Sequence, residues 1–328
     1  MSRPLLCRPE SYTKTLVPLS ERKLIERIRR KSGRQVHFGH GIGDDCAVID
    51  VPKDHEALVT TDFTLEGIHF RREWHPAESV GHRCLARGLS DIAAMGGEPR
   101  AAFLSLALPR KLPQRWVDQF FGGLLKLAKR YSVQLAGGDI AESPAGVLAD
   151  IMVLGSIPKR RAVLRSGARV GDFVYVTGTL GASVSTLELL REGKKPRMAA
   201  HPRHFHPDPR IAIGRYLREK KLASAMIDTS DGLSVDLQHI CDESRVGAVI
   251  YAESLPRVAG PRGLEFALHG GEDYELLFTA AKRKVVPNEI AGVSITRIGE
   301  IVGGKAVKVA TADGRTKRLK VGGWEHFG

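Results

Sequence analysis

Aspartates beside glycines or at the ends of apolar runs recur in five separated stretches of this 328-residue chain. Asp44 and Asp45 follow Gly41-Ile42-Gly43, Asp62 closes LVTTD, Asp139 follows Gly137-Gly138, and Asp228 and Asp231 flank the turn in IDTSDG. Asp91 sits inside the small-residue stretch LSDIAAMGG. Gathered anions repel one another, and their pKa values rise unless cations neutralise them. Hard oxygen ligands of this kind suit Mg²⁺, which keeps several waters and bridges to substrate phosphates. Thr60, Thr61 and Ser230 add hydroxyl oxygens. Each aspartate alone has an ordinary explanation in turn chemistry, and the set carries more weight than any member.

The elements around these residues alternate irregularly. Helices are expected at Glu21–Lys31, Ala77–Met95, Trp116–Arg130, Ala182–Arg191, Ile211–Leu222 and Gly232–Glu243 from their apolar spacing and caps. Strands are expected at Cys46–Val51, Ala57–Thr61, Ala101–Leu108, Val133–Ala136, Val147–Ile157, Phe173–Thr177, Ser224–Asp228, Tyr274–Ala280 and Ile295–Val302. The polar, proline-punctuated stretch Glu192–Pro209 reads as a loop. This order favours α/β or α+β over a strictly doubly wound sheet. Residues 1–19 read as a basic tail, 20–160 as an N-terminal domain and 161–328 as a C-terminal α+β domain, with the boundary near Pro158–Gly171.

Composition narrows the function. Aromatic residues make up 6% of the chain, too few for the stacking platforms of single-strand nucleic-acid binders. The formal charge is +13, and residues 1–40 hold ten Lys and Arg against three Glu, so more than half of the excess lies in the first eighth of the chain. Charge of this kind attracts any polyanion without specifying one. No apolar run reaches the roughly 18 residues of a membrane span. The first residues lack the apolar core of a secretory signal. Cys7, Cys46, Cys84 and Cys241 are widely spaced, so a zinc site or disulfide framework is not expected and a reducing cytoplasm is. No Walker A loop and no kinase HRD or DFG set occurs, so a nucleotide would be held by another architecture, with metal bridges in place of a P-loop.

Eight segments together resemble the thiamine-monophosphate kinase family: GIGDDCAVI (41–49), LVTTDFTLEGIHF (58–70), LSDIAAMGGEPRAAFLSLALP (89–109), LAGGDI (135–140), LRSGARVGDFVYVTGTLGAS (164–183), AMIDTSDGLSVDLQHI (225–240), HGGEDYELLFT (269–279) and the terminal GGWEHFG. They stand in the family's order and at its approximate spacing over residues 20–328. The resemblance implies the two-domain fold of aminoimidazole-ribonucleotide synthetase. In it the N-terminal sheet pairs with its copy across a homodimer axis, and the C-terminal α+β domain packs beside it. It also implies transfer of the γ-phosphoryl group of ATP to thiamine monophosphate with several Mg²⁺ ions, the last step in making thiamine diphosphate, in the cytoplasm.

Carried over motif by motif, the resemblance makes Asp45, Thr60, Thr61, Asp62, Asp91, Asp139, Asp228 and Asp231 similar to metal ligands. Phe121, Gly138, Asp139, Arg165 and Ser230 are similar to nucleotide contacts, and His69, Glu272 and Trp324 to the residues around the thiamine moiety. Asp45, Asp91, Asp231 and Arg165 would carry the catalytic step. At Phe121 some relatives have tyrosine, so a hydroxyl is missing here. Taken alone, Trp324 also reads as an apolar plug, His69 as a strand-end histidine and Cys46 as a small buried hydrophobe. A sister synthetase of the superfamily acting on another phosphorylated acceptor is the first alternative, and a basic nucleic-acid binder on the same fold the second. Intact acidic motifs oppose the latter, because they repel a phosphate backbone.

Overall fold

The computed structural model describes residues 21–32, 38–40, 48–320 and 322–323. Asp44, Asp45, Cys46 and Trp324 lie outside these residues. Helix α1 (Glu21–Ser32) buries Leu24 and Ile28, and the short strands β1 (Phe38–His40) and β2 (Val48–Ile49) pair antiparallel. The chain then runs through β3 (His55–Leu65), α2 (Ala77–Ala94), β4 (Glu98–Pro109), α3 (Gln114–Arg130), β5 (Gln134–Ser143) and β6 (Leu148–Pro158). These strands form a four-stranded sheet in the order β3-β6-β4-β5. Only β4 and β5 are parallel, as their connection through α3 requires.

The remaining elements are β7 (Phe173–Thr177), α4 (Ala182–Arg191), α5 (Pro202–Phe205), α6 (Ile211–Glu219), β8 (Ala223–Asp228), α7 (Leu233–Ser244), β9 (Gly247–Tyr251), α8 (Gly263–His269), β10 (Leu276–Ala280), β11 (Glu289–Ile290), β12 (Val293–Val302), β13 (Val307–Ala310) and β14 (Thr316–Arg318). Their sheet runs β14-β13-β9-β12-β7-β10-β8, with β11 paired to β12. Side chains alternate across a strand, and here the alternation divides two cores. Met226, Leu276 and Phe278 face the core shared with α2, α3 and α6, whereas Val174, Val176, Ile227 and Leu277 face the core under α7 and α8.

Helix α2 lies between the two sheets, packed against β3, β4 and β6 on one side and β8 and α6 on the other, with α3 alongside. It is buried nearly all round, and small residues let the neighbouring backbones approach. A Cβ on Gly81 would stand 1.9 Å from the Phe120 carbonyl oxygen, and one on Gly214 would stand 2.0 Å from that of Ala93.

Several elements differ from expectation. β3 and β5 continue well past the expected ends, so Asp62 and Asp139 sit within strands, opposite Ile151 and Ser105 respectively. The stretch Glu192–Pro209 contains a 3₁₀ turn at Met198–Ala200 and α5, and it buries His204 and Phe205. Strands β1, β9, β11, β13 and β14 and helix α8 lie outside the expected elements. Among the described residues no helix is long and apolar enough to cross a membrane.

Adjacent glycines of α3 provide a test. Gly122 is exposed with open space around its Cβ position, whereas a Cβ on Gly123 would stand 1.9 Å from the Glu78 carbonyl oxygen. Gly122→Ala should stabilise by about 0.5–1 kcal/mol through helix propensity. Gly123→Ala should destabilise by about 1–3 kcal/mol through overpacking. Urea unfolding of the two variants checks the opposite signs.

Candidate active site

A cleft of about 950 Å³ opens between β3, the segment that follows it, α2, α4, the β8–α7 turn and the turn after α8. One end is carboxylate-rich. Thr60 and Asp62 share one face of β3 because they are two residues apart, and Thr61 points to the other. The Thr60 hydroxyl donates to Asp91 Oδ2 on α2. Ser90, beside Asp91, donates to Asp228 Oδ2 at 2.6 Å at the end of β8. The three aspartates therefore meet from three elements. Burial, then repulsion from Asp91, pushes Asp62 up to about 7. Burial, then repulsion from Asp91 and Asp62, pushes Asp228 up to about 8. Burial also raises Asp91, opposed by the Thr60 hydroxyl and the Arg165 guanidinium.

The other end is built on Glu272. The turn that carries it is sewn to the β8–α7 turn by backbone bonds, Glu272 N to Ser230 O at 2.8 Å and Tyr274 N to Thr229 O at 3.0 Å. Gly271 makes this approach possible, since a Cβ there would stand 2.6 Å from Ser230 O. Glu272 and Tyr274 themselves take left-handed conformations, with φ of 60° and 52°. Two arginines of α2, one turn apart, reach Glu272: Arg83 at 2.5 Å and Arg87 at 3.4 Å. They hold the Glu272 carboxyl down at about 2 against the upward push of burial. Arg83 is itself buried, and it also donates to the carbonyls of His204 and His69 at 3.2 and 3.3 Å.

The wall between the two ends holds His69, Trp74, His75 and His204. His69 Nδ1 accepts from Leu65 N at 3.0 Å. The Nε2 atoms of His75 and His204 are 3.0 Å apart, and His204 Nδ1 meets the Ser183 hydroxyl at 3.0 Å. Burial and the Arg83 charge lower His75 to about 4 and His204 to about 2, so both rings are neutral near pH 7.

Of the residues singled out in the sequence, Thr61, Asp62, His69, Asp91, Asp228, Ser230, Asp231 and Glu272 all line this cleft. Thr60 and Arg165 do not line it but act on Asp91. Three others are elsewhere. Phe121 is 3% exposed and packs edge-to-face on Phe120 in the helical layer, so its ring serves the core. Gly138, expected to bring backbone close to a nucleotide, has its Cβ space taken by the Leu104 carbonyl oxygen 1.9 Å away in β4. Asp139 is exposed, and its Oδ1 accepts from Ile140 N at 2.8 Å. Among the described residues no three His, Cys, Asp or Glu side chains are grouped closely enough to enclose a metal ion. The sequence reading overlooked Trp74, Arg83, Arg87, His204 and Tyr274. The four-residue spacing of Arg83, Arg87 and Asp91 within an expected helix was the available signal.

Residues 43–157 match the profile described as AIR synthase related protein, N-terminal domain, and residues 169–311 match its C-terminal domain. A curated thiamine-monophosphate kinase of Escherichia coli K12 is 37% identical over 303 residues, 88% of this chain and 91% of that protein. The chain belongs to the thiamine-monophosphate kinase family. A crystal structure of thiamine-monophosphate kinase from Stenotrophomonas maltophilia K279a is 34% identical with a TM-score of 0.79, covering 90% of this chain and 98% of that one. A structure described as AaThiL complexed with AMPPCP and TMP is 35% identical with a TM-score of 0.76, covering 97% and 99%.

The raised carboxylates of this family member give a signed prediction. A buried Asp228 that titrates near 8 when folded, against 3.8 ordinarily, costs stability increasingly as pH rises from about 4 through 8. Without divalent cations, Asp228→Asn should therefore raise Tm by roughly 2 °C or more at pH 8.5, with the gain shrinking towards pH 5. Thermal melts at the two pH values check this.

Proposed function

We propose that this chain transfers the γ-phosphoryl group of ATP directly to thiamine monophosphate, giving thiamine diphosphate and ADP. The observation that carries the proposal is one cleft joining three crowded aspartates to a half-buried, arginine-paired glutamate, in a member of this family. The glutamate end is the proposed place of the thiamine rings, since the Glu272 carboxylate is already balanced by Arg83 and Arg87. Glu272 stays ionised there, with His69 and Trp74 beside it as partly apolar walls. Trp324, outside the described residues, is proposed for the same end.

The donor set at the other end fits Mg²⁺, because burial and mutual repulsion hold protons on oxygens that a cation would otherwise neutralise. Asp62, Asp91 and Asp228 would hold such ions, with Thr60, Thr61, Asp231, Asp139 and Asp45 as further candidates. Bound there, Mg²⁺ would neutralise charge on the phosphates. The protein's own residues fix positions. Ser90 and Thr60 orient the carboxylates of Asp228 and Asp91. Arg165, whose charge acts on Asp91 and Asp228, is proposed to meet nucleotide phosphate, and Ser230 to offer a further contact. The acceptor is a phosphate monoester, largely ionised near pH 7 with a second pKa of about 6, so no strong general base is needed. Accordingly we assign no phosphoenzyme.

We also propose a homodimer formed through the open face of the first sheet. Val59 and Phe63 are 59% and 55% exposed there, beside Leu148 at 37%, an apolar surface that water does not favour. We place the reaction in the cytoplasm, in keeping with the free, buried thiols of Cys84 and Cys241.

The test is an assay of the purified protein with ATP, Mg²⁺ and thiamine monophosphate. Magnesium-dependent thiamine diphosphate with one ADP per product is expected; a folded protein that binds ATP yet forms none would overturn the proposal. Asp91→Asn should lower kcat by roughly 100-fold or more while leaving Tm at or above that of the unaltered chain. Phe63→Glu should shift the mass measured by light scattering from dimer to monomer.

A further inference from the structure

We infer that Arg87 is the residue that takes the phosphate of the acceptor, and so makes the cleft select phosphorylated over unphosphorylated thiamine. This rests on the reaction proposed above. Arg83, Arg87 and Asp91 are each four residues apart on α2, so they form one row along the helix, about 12 Å from end to end. Arg83 belongs to the glutamate end and Asp91 to the carboxylate end. Arg87 stands between, and its charge acts on Glu272 at one side and on Asp62 and Asp91 at the other. An acceptor with its thiamine rings at the Glu272 end and its reacting phosphate towards the aspartates would set that phosphate beside Arg87.

Charge counting supports the same placement. Glu272 is one anion shared by two guanidinium groups, and Arg83 holds it at 2.5 Å while Arg87 is at 3.4 Å. The trio carries an excess positive charge, and it lies on the side of Arg87. The Arg87 Nη1 donates to Phe63 O at 2.5 Å, and Tyr274 is a further partner. A guanidinium carries five N–H donors in a planar fork, more than these partners take up, and the fork matches phosphate oxygens. Other cations at the cleft are engaged elsewhere: Arg71 lies over the Trp74 ring at 4.7 Å, and Arg191 pairs with Glu188 at 2.9 Å. His75 and His204 are uncharged near pH 7.

The alternative role for Arg87 is structural, as a pin on the Phe63 carbonyl. Affinities for thiamine monophosphate and for thiamine, measured by calorimetry with Mg²⁺ present, separate the two. Arg87→Met should weaken thiamine monophosphate binding by roughly 10- to 100-fold, the worth of a charge-assisted contact, and leave thiamine within about 3-fold. Arg87→Gln, which keeps a donor for Phe63 O, should lose the same discrimination, and Arg87→Lys should keep most of it. If the Met variant does not fold, the Gln and Lys variants decide. Equal weakening of both ligands, or an unchanged ratio in the Gln variant, would overturn the assignment. An unaltered chain that binds thiamine monophosphate no better than thiamine would overturn it too. Failure of the underlying reaction is seen separately, as absence of thiamine diphosphate from the unaltered enzyme.

Discussion

The close burial of α2 between two sheets is the constraint on which the rest of the structure depends. A helix in that position cannot turn a polar face to water, so its surface is apolar or small wherever it meets a sheet or another helix. Its Gly81 admits a neighbouring carbonyl and its Gly88 the Val153 side chain, at distances no side chain would allow. Among its polar residues, Arg83, Arg87, Ser90 and Asp91 fall where the packing opens into the cleft or where a partner meets them. The helix that fills the middle of the molecule is therefore also the helix that charges the site. Its rigidity is transferred to those charges without a separate scaffold.

The electrostatics follow from that arrangement. Burial alone opposes ionisation of Asp62, Asp91, Asp228 and Glu272, but the outcome differs along the cleft. At Glu272 two arginines overcome the desolvation, and the anion persists. At Asp62 and Asp228 the nearest strong influence after burial is another aspartate, and protons are retained. One end is thus an anion already held by two arginines. The other is an unfinished set of oxygens whose charge is completed by what binds there. Such opposed perturbations within one pocket are characteristic of functional sites.

Much of this was legible in the sequence, and the limits have physical causes. Asp62, Asp91, Asp228 and Asp231 were marked by their glycine-rich or strand-flanking surroundings and Glu272 by the family resemblance alone, and they share one cleft. The strand bounds were harder to place, because β3 and β5 carry polar residues on alternating positions well beyond their apolar runs. The histidine-rich stretch after α4 looks like solvated loop, yet His204 is buried, because Ser183 and His75 satisfy both ring nitrogens. Glycine spacing also carries two meanings that composition does not separate. Gly271 serves the site by letting two turns touch, while Gly138 serves the sheet by letting β4 pass. Arg83 gave only its four-residue spacing from Arg87 and Asp91, since an arginine on a helix reads as surface until its burial against Glu272 is known.

The alternation along β10 has a consequence for how the chain can be divided. Leu276 and Phe278 belong to the core around α2, while Leu277 between them belongs to the core under α7 and α8. A single strand is therefore the wall of two compartments. Severing the chain between its two sheets would leave one face of that wall stripped and wet, and would take from α2 the packing that Met226 and Phe278 supply. Gene fusions, split reporters or recombined chimaeras that exchange one half for a distant relative's must match both faces of this strand at once. The seam along which such a molecule can be recombined runs through side-chain volumes on alternate residues, and not through the connecting segment that looks like a natural joint.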